Sequence, residues 1–461
     1  MSDPMSPLKS RIAPGDVHQT LSRHMLVDGF PFVLDLEKSN GTYLSDAATG
    51  KEYLDFFMFF ASCPLGHNHP GLREVDFYRR LASVAASKPS NTDLYTVEMA
   101  EFVETFARIA VPECLSNLFF ISGGALAVEN ALKAAFDWKV RKNFAKGLRE
   151  EKGHKVIHFR QAFHGRTGYT MSLTNTDPVK TDYYPKFKWP RIENPKITFP
   201  LEDHLKEVRA AEKRAVKAIE DALTSDGGDI AAIIIEPIQG EGGDNHFRPE
   251  FFQELRRIAD ESEAILIFDE VQTGVGITGQ MWCHEHFGVR PDIMAFGKKT
   301  QVCGIMASER LNEVDSVFTV SGRINSTWGG NLIDMFRAKR IFEIIEEDDL
   351  VENAARMGVA LLQHLNDIQK LHPHFVSNAR GRGLFCAFDL PDTPCRDTFL
   401  TTLIRHGLIA LKCGEKTIRF RPPLNVRREE IDEAAEMLHG ALKESKERSC
   451  IGDTSGAVHT E

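Results

Sequence analysis

Residues Ile265-Leu266-Ile267-Phe268 are apolar without a break and end in Asp269-Glu270. A strand with no polar alternation is one buried on both faces, as in a parallel sheet covered by helices. A second short run, Asp292-Ile293-Met294-Ala295-Phe296, ends in Gly297-Lys298-Lys299. Open α/β sheets hold their ligands outside the carboxyl ends of the strands. The two runs therefore deliver an acid and a lysine to one rim of one sheet.

That pair suits one chemistry in particular. The lysine amine forms an imine with pyridoxal 5′-phosphate. The aspartate pairs with the pyridinium nitrogen and keeps it protonated, so the ring acts as an electron sink. A plainer reading stands beside it on these residues alone. Asp-Glu also opens solvated loops, and Lys-Lys is ordinary surface charge.

Other stretches add candidates. Leu118-Phe119-Phe120-Ile121 predicts a buried strand that runs through Ser122-Gly123-Gly124-Ala125 into a helix over 126–139. Val128, Leu132 and Phe136 share one face of that helix. Free amides and the dipole at such a helix start bind a phosphate, although a tight turn uses the same glycines. Val156-Ile157-His158-Phe159 predicts the next strand, followed by Ala162-Phe163-His164-Gly165-Arg166. A ring there can stack on a flat cofactor, and Arg166 can hold a carboxylate in a fork. Core packing for Phe163 and a surface ion pair for Arg166 are the alternatives. Ala231–Ile235 predicts a strand before Glu236-Pro237 and a glycine-rich loop, in which Glu241 either meets an arginine or faces solvent. Thr327 lies in the polar turn 325–330 and can cap a phosphate. His67 and His69 have no third ligand at useful spacing, so a loop is expected there and no metal.

Composition narrows the class. A chain of 461 residues is too long for one small core. Its net charge of -10 argues against nucleic acid or an anionic membrane as partner. No apolar run reaches the roughly 18 residues that span a bilayer, and residues 1–15 carry no apolar signal core. The eight cysteines are scattered without a CxxC pair, so a reduced, cytoplasmic protein with neither disulfide framework nor zinc site is expected.

The expected order is an arm over 1–16, strands at 34–44 and 51–60, strands at 383–390, 408–411 and 417–420, and helices at 332–345, 350–371 and 428–442. The two ends of the chain together then make a small α+β domain. The expected division is 1–70 for the arm and part of the small domain, 71–331 for a large cofactor-binding domain, 332–445 for the rest of the small domain, and 446–461 for a disordered tail.

Together these pieces resemble the class III aminotransferases, over nearly the whole chain. The most specific stretch is Ile267-Phe268-Asp269-Glu270-Val271-Gln272-Thr273-Gly274, followed by Pro291-Asp292 and Gly297-Lys298. The family places a small residue directly before its Schiff-base lysine, which selects Lys298 over Lys299. Within the family the chain looks most like the branch that acts on the ε-amine of L-lysine. The stretches Lys88-Pro89-Ser90-Asn91, Glu236-Pro237-Ile238-Gln239-Gly240-Glu241 and Arg419-Phe420-Arg421-Pro422-Pro423 carry that closer likeness. Ile277 stands where most members have arginine, and Thr300-Gln301-Val302-Cys303 replaces a glycine-rich run. Both departures look like those of the lysine-specific branch.

The resemblance implies a fold-type I architecture, with a large mostly parallel seven-stranded-type sheet and a smaller α+β domain. It implies a homodimer with shared active sites, pyridoxal 5′-phosphate as cofactor, and no metal. It implies that Lys298 holds the cofactor, Asp269 its ring nitrogen and Gln272 its ring-oxygen side, while Phe163 stacks on it. Gly124 and Ala125 would bind the phosphate, with Thr327 reaching it from the partner subunit. Arg166 would take the distal carboxylate of the substrate and Arg419 the α-carboxylate of 2-oxoglutarate. Glu241 would mask Arg419 while lysine is bound. The implied reaction passes the ε-amino group of L-lysine to 2-oxoglutarate in a ping-pong cycle. Ornithine or 4-aminobutyrate as the amine is the near alternative. A nicotinamide oxidoreductase is the distant one, and its GxGxxG signature is not found at Ser122–Leu126. An idle interaction protein of the same fold is a third, and it leaves Asp269 and Lys298 without a purpose.

Overall fold

The computed structural model describes residues 12–226 and 228–452. Its centre is a seven-stranded sheet in the order Asn117–Ile121, Cys303–Ala307, Ile293–Phe296, Ile265–Asp269, Ile230–Ile235, Lys155–Phe159, Arg191–Ile192. Every neighbouring pair is parallel except those made by Cys303–Ala307, which runs antiparallel to both its neighbours.

The lack of alternation in the central strands has a direct structural cause. Leu266, Phe268, Ile233 and Ile235 enter one apolar core, while Ile265, Ile267, Ala232 and Ile234 enter another. Side chains of a strand point alternately to opposite faces, so a sheet with a core on each face needs apolar residues at every position. The helix Gly124–Ala145 supplies Val128, Leu132 and Trp138 to the second core. The helices Val97–Ala110, Pro249–Glu261 and Leu332–Glu347 supply Phe102, Phe252 and Met335 to the first.

The two ends of the chain meet in a second sheet. Glu52–Asp55 pairs antiparallel with Tyr43–Ser45 and parallel with Leu408–Ile409. A four-stranded antiparallel sheet follows the order Ser377–Arg382, Phe385–Asp389, Thr417–Phe420, Leu411–Cys413. Its Thr417–Phe420 strand carries Arg419 towards the large sheet.

Several expected elements differ. The strand expected over 34–44 is confined to Tyr43–Ser45. The strand expected over 51–60 stops at Asp55. Asp55 Oδ1 accepts the amides of Phe57 and Met58 at 2.8 and 2.9 Å, and Met58 to Ala61 then take φ between 41° and 63°. Such left-handed backbone cannot continue a strand. Ser377–Arg382, with two glycine-flanking arginines and little apolar pattern, was not expected to be a strand. The last helix runs from Arg428 to Gly452 rather than ending at Leu442. Of the expected tail, 453–461 lie outside the described residues, as do 1–11 of the expected N-terminal arm. The described part of that arm forms a turn, Pro14–Asp16, leading into the helix Val17–Ser22. Among the described residues no helix is long and apolar enough to cross a membrane, and no group of three or more His, Cys, Asp or Glu is placed to hold a metal ion.

Candidate active site

A cavity of about 550 Å³ opens at the carboxyl rim of the large sheet. Parallel strands put their last residues there together. Glu236 follows Ile230–Ile235, Asp269 closes Ile265–Asp269, and Lys298 follows Ile293–Phe296. The antiparallel strand Cys303–Ala307 is reached through a tight turn in which Lys298 has φ of 54° and Gln301 φ of 61°. Gln301 fastens that turn by donating to Ser62 O at 2.8 Å. Left-handed backbone at a non-glycine residue is strained, and strain of this kind collects at functional sites.

The neighbouring lysines face different surroundings. Lys298 lines the cavity. Burial holds its ammonium below the ordinary lysine range, with Asp269 pulling against that and Arg419 adding to it. Lys299 is buried and turned away, its Nζ donating to Gln272 O at 2.7 Å. Burial, with help from Lys298 and Arg421, sets its pKa well below the usual value.

Asp269 is held by His164. The ring Nδ1 lies 2.8 Å from Asp269 Oδ2, and Asp269 Oδ1 accepts the Val271 amide at 3.1 Å. Burial disfavours charge on His164, but the hydrogen bond and charge of Asp269 outweigh it and hold the imidazole above its ordinary range. His164 Nε2 is buried without a partner. Glu236, in the same cavity, accepts the amides of Phe163 at 2.8 Å and Gly240 at 3.1 Å. Burial pushes its pKa up to about 7, with His164 lowering it and Asp269 raising it.

One wall of the cavity is the start of the helix Gly124–Ala145. Its first internal bond is Ala127 N–H to Gly123 O at 3.0 Å, which leaves the amides of Gly124, Ala125 and Leu126 outside the helix ladder. A Cβ on Gly124 would lie 2.9 Å from Val271 Cγ1, so the close approach of helix and rim requires glycine. Phe163, half-buried, and Arg166, exposed, also line the cavity.

The arginines come from the four-stranded sheet. Arg419 is buried behind Glu241, with Nη2 2.6 Å from Glu241 Oε2. The other carboxylate oxygen, Oε1, is 2.5 Å from Lys180 Nζ. Burial works against the Glu241 carboxylate, but Arg419 and Lys180 hold its pKa below the usual range. Gln272 Oε1 accepts from Arg419 at 3.3 Å and Arg421 at 3.1 Å, and Arg421 pairs with the fully buried Asp244 at 2.6 Å.

Eight of the ten expected site residues thus line one cavity: Gly124, Ala125, Phe163, Arg166, Glu241, Asp269, Gln272 and Lys298. Arg419 lies just behind it. Thr327 is exposed on its turn and does not line it. Three functional candidates were not singled out from the sequence. His164 sits inside a stretch that was noted, yet nothing local tells its role from that of Phe163. Arg421 follows Arg419 at the two-residue spacing that keeps side chains on one face of a strand, and that signal was legible. Lys180 carries no sequence signal at all.

The class III aminotransferase family matches this chain over residues 26–442. The chain belongs to the class III aminotransferases. It is 52% identical to the L-lysine-epsilon aminotransferase of Amycolatopsis lactamdurans over 432 residues, covering 93% of this chain and 95% of that protein. It is 33% identical to the mitochondrial 4-aminobutyrate aminotransferase of Homo sapiens over 444 residues, covering 91% and 88%. Among solved structures, the lysine aminotransferase from M. tuberculosis in the internal aldimine form superposes with a TM-score of 0.92 at 52% identity, covering 94% of this chain and all of that one.

A class III aminotransferase works with pyridoxal 5′-phosphate, and the residues here fit that group. The helix start offers unused amides to a phosphate. Lys298 is an amine with a depressed pKa. Asp269 is a carboxylate with spare acceptor capacity beyond its two bonds.

Proposed function

We propose that this class III aminotransferase moves the ε-amino group of L-lysine to 2-oxoglutarate, forming 2-aminoadipate 6-semialdehyde, which cyclises to 1-piperideine-6-carboxylate, and L-glutamate. The observation that carries this reading is the Glu241–Arg419 ion pair, 2.6 Å long, beside the cavity. A substrate that presents a terminal amine keeps its α-carboxylate far from the reacting carbon. Nothing then neutralises Arg419, and an unpaired guanidinium in a closed site is costly. Glu241 supplies the missing charge. A 2-oxoglutarate molecule brings its own carboxylate to Arg419, and Glu241 turns aside. The two similarities to lysine aminotransferases at 52% identity support the same choice of amine.

In this mechanism pyridoxal phosphate, when bound, supplies an electron sink for the carbon that loses its proton. Asp269 would hold the ring nitrogen, and His164 keeps that carboxylate oriented. Lys298 Nζ takes the proton from the amine-bearing carbon and returns it one bond further on. Burial lowers its pKa, which favours the neutral amine that such a base requires. Arg166, exposed in the cavity lining, takes the distal carboxylate. Gly124 and Ala125 would hold the phosphate through backbone amides that the helix leaves free.

The remaining assignments belong to the same proposal. The enzyme acts as a cytoplasmic homodimer, with Thr327 of each chain reaching the other's phosphate site. Exposed Leu94, Tyr95, Val179 and Tyr183 are large apolar side chains of the kind a second copy covers. The small domain comprises 1–70 and 332–445 and the large one 71–331. The shared sheet of Glu52–Asp55 and Leu408–Ile409 supports that division.

The test is glutamate formation from 2-oxoglutarate with L-lysine, ornithine or 4-aminobutyrate as sole amine. Lysine should give the highest kcat/KM. Turnover with ornithine or 4-aminobutyrate and none with lysine would keep the family and replace the substrate.

A further inference from the structure

Glu241 is shared between two cations. Oε2 meets Arg419 at 2.6 Å and Oε1 meets Lys180 at 2.5 Å. The two cations differ in freedom. Arg419 is buried to 1% exposure in a sheet, whereas Lys180 keeps 25% exposure and closes the short turn Pro178–Lys180. An ammonium on a four-carbon stem tolerates a change of direction that a planar guanidinium does not.

The backbone of Glu241 is not free to move with its side chain. Gly414 N–H donates to Glu241 O at 2.9 Å. Arg380 donates to Gly243 O at 2.6 Å and to Asp244 O at 2.9 Å, and Arg421 grips the Asp244 carboxylate. Release of Arg419 must therefore be a rotation of the Glu241 side chain about a fixed Cα. A largely buried carboxylate that lets go of one partner needs another.

We infer that Lys180 is a positioning residue for the co-substrate exchange: it retains Glu241 when Arg419 is surrendered to the α-carboxylate of 2-oxoglutarate. This rests on the function proposed above. The charges support it. With lysine bound, Glu241 lies between two cations. With 2-oxoglutarate bound, two carboxylates face the same two cations, and each is paired. Without Lys180, two carboxylates would compete for Arg419, and Glu241 would stay where it is. Lys180 acts through Glu241 rather than on the reacting atoms, and its Nζ, 5.5 Å from the centre of the Phe163 ring, is held at the cavity wall.

The experiment is steady-state kinetics of the holoenzyme with both co-substrates varied. Lys180→Met should raise the KM for 2-oxoglutarate about tenfold, the value of one charge-assisted contact, and raise the KM for the amine far less. Lys180→Arg should restore most of the difference. In a Glu241→Ala background, Lys180→Met should no longer shift the 2-oxoglutarate KM. Equal rises in both KM values, or the same shift with Glu241 already removed, would overturn the inference. A wild-type enzyme that prefers another amine overturns the lysine assignment alone, and the Lys180 comparison is then made with that amine.

Discussion

His164 donates from Nδ1 to Asp269 Oδ2 across 2.8 Å, with both residues buried at the end of the central strand. Together with the Val271 amide on Oδ1, this bond fixes the orientation of the carboxylate. His164→Phe should weaken pyridoxal phosphate binding by about 10- to 100-fold, the worth of one hydrogen bond to a charged group. Spectral titration of the cofactor-free protein measures this. Unchanged affinity would mean that Asp269 needs no such support.

The lysine pair separates cleanly by substitution. Lys298→Ala should abolish transamination and the imine absorbance near roughly 400 nm. Lys299→Ala should keep the imine, because that amine is spent on Gln272 O. It should still lower the melting temperature by about 1–3 °C, since the part-buried carbonyl loses its donor at about 1–3 kcal/mol. The reverse pattern would place the cofactor on the wrong lysine here.

Glu241→Ala should damage lysine use more than 2-oxoglutarate use. It removes the partner of Arg419 only in the half-reaction where no substrate carboxylate replaces it. A fall of about tenfold or more in kcat/KM for lysine is expected, against a much smaller one for 2-oxoglutarate. Equal losses would count against the switch.

Glu236 makes the stability of the cofactor-free protein depend on pH. Burial raises its folded-state pKa from 4.5 to about 7, so the folded state binds a proton that the unfolded state releases. Its contribution is fully present below about pH 4.5 and is lost as the pH rises to about 7. The loss amounts to roughly 3 kcal/mol over that window. His164, also raised, acts in the same direction. Melting temperatures between pH 4.5 and 7.5 should therefore fall for the wild type and fall less for Glu236→Gln. Parallel curves would remove Glu236 as the cause.

Much of the sheet and part of the site were readable from residues that are close in the chain. The run Ile265–Phe268 declares a strand covered on both faces because every position is apolar, and two cores receive it. Gly297 beside Lys298 favours that lysine over Lys299 through the family resemblance, and it is Lys298 that lines the cavity. Where local pattern is weak, the chain does not announce its elements. The strand Ser377–Arg382 has no apolar alternation, and the turn at Met58–Ala61 is apolar in sequence but left-handed in backbone.

The side-chain contacts around the cavity lie beyond such patterns. Asp269 and His164 are 105 residues apart, Glu241 and Arg419 are 178, and Lys180 and Glu241 are 61. No periodicity links positions so distant. Whether a carboxylate meets an arginine, a lysine or water depends on how a sheet from the end of the chain packs against a rim built in its middle. That packing selects the partners by distance and burial, and the same residue types elsewhere in the chain would be surface charge.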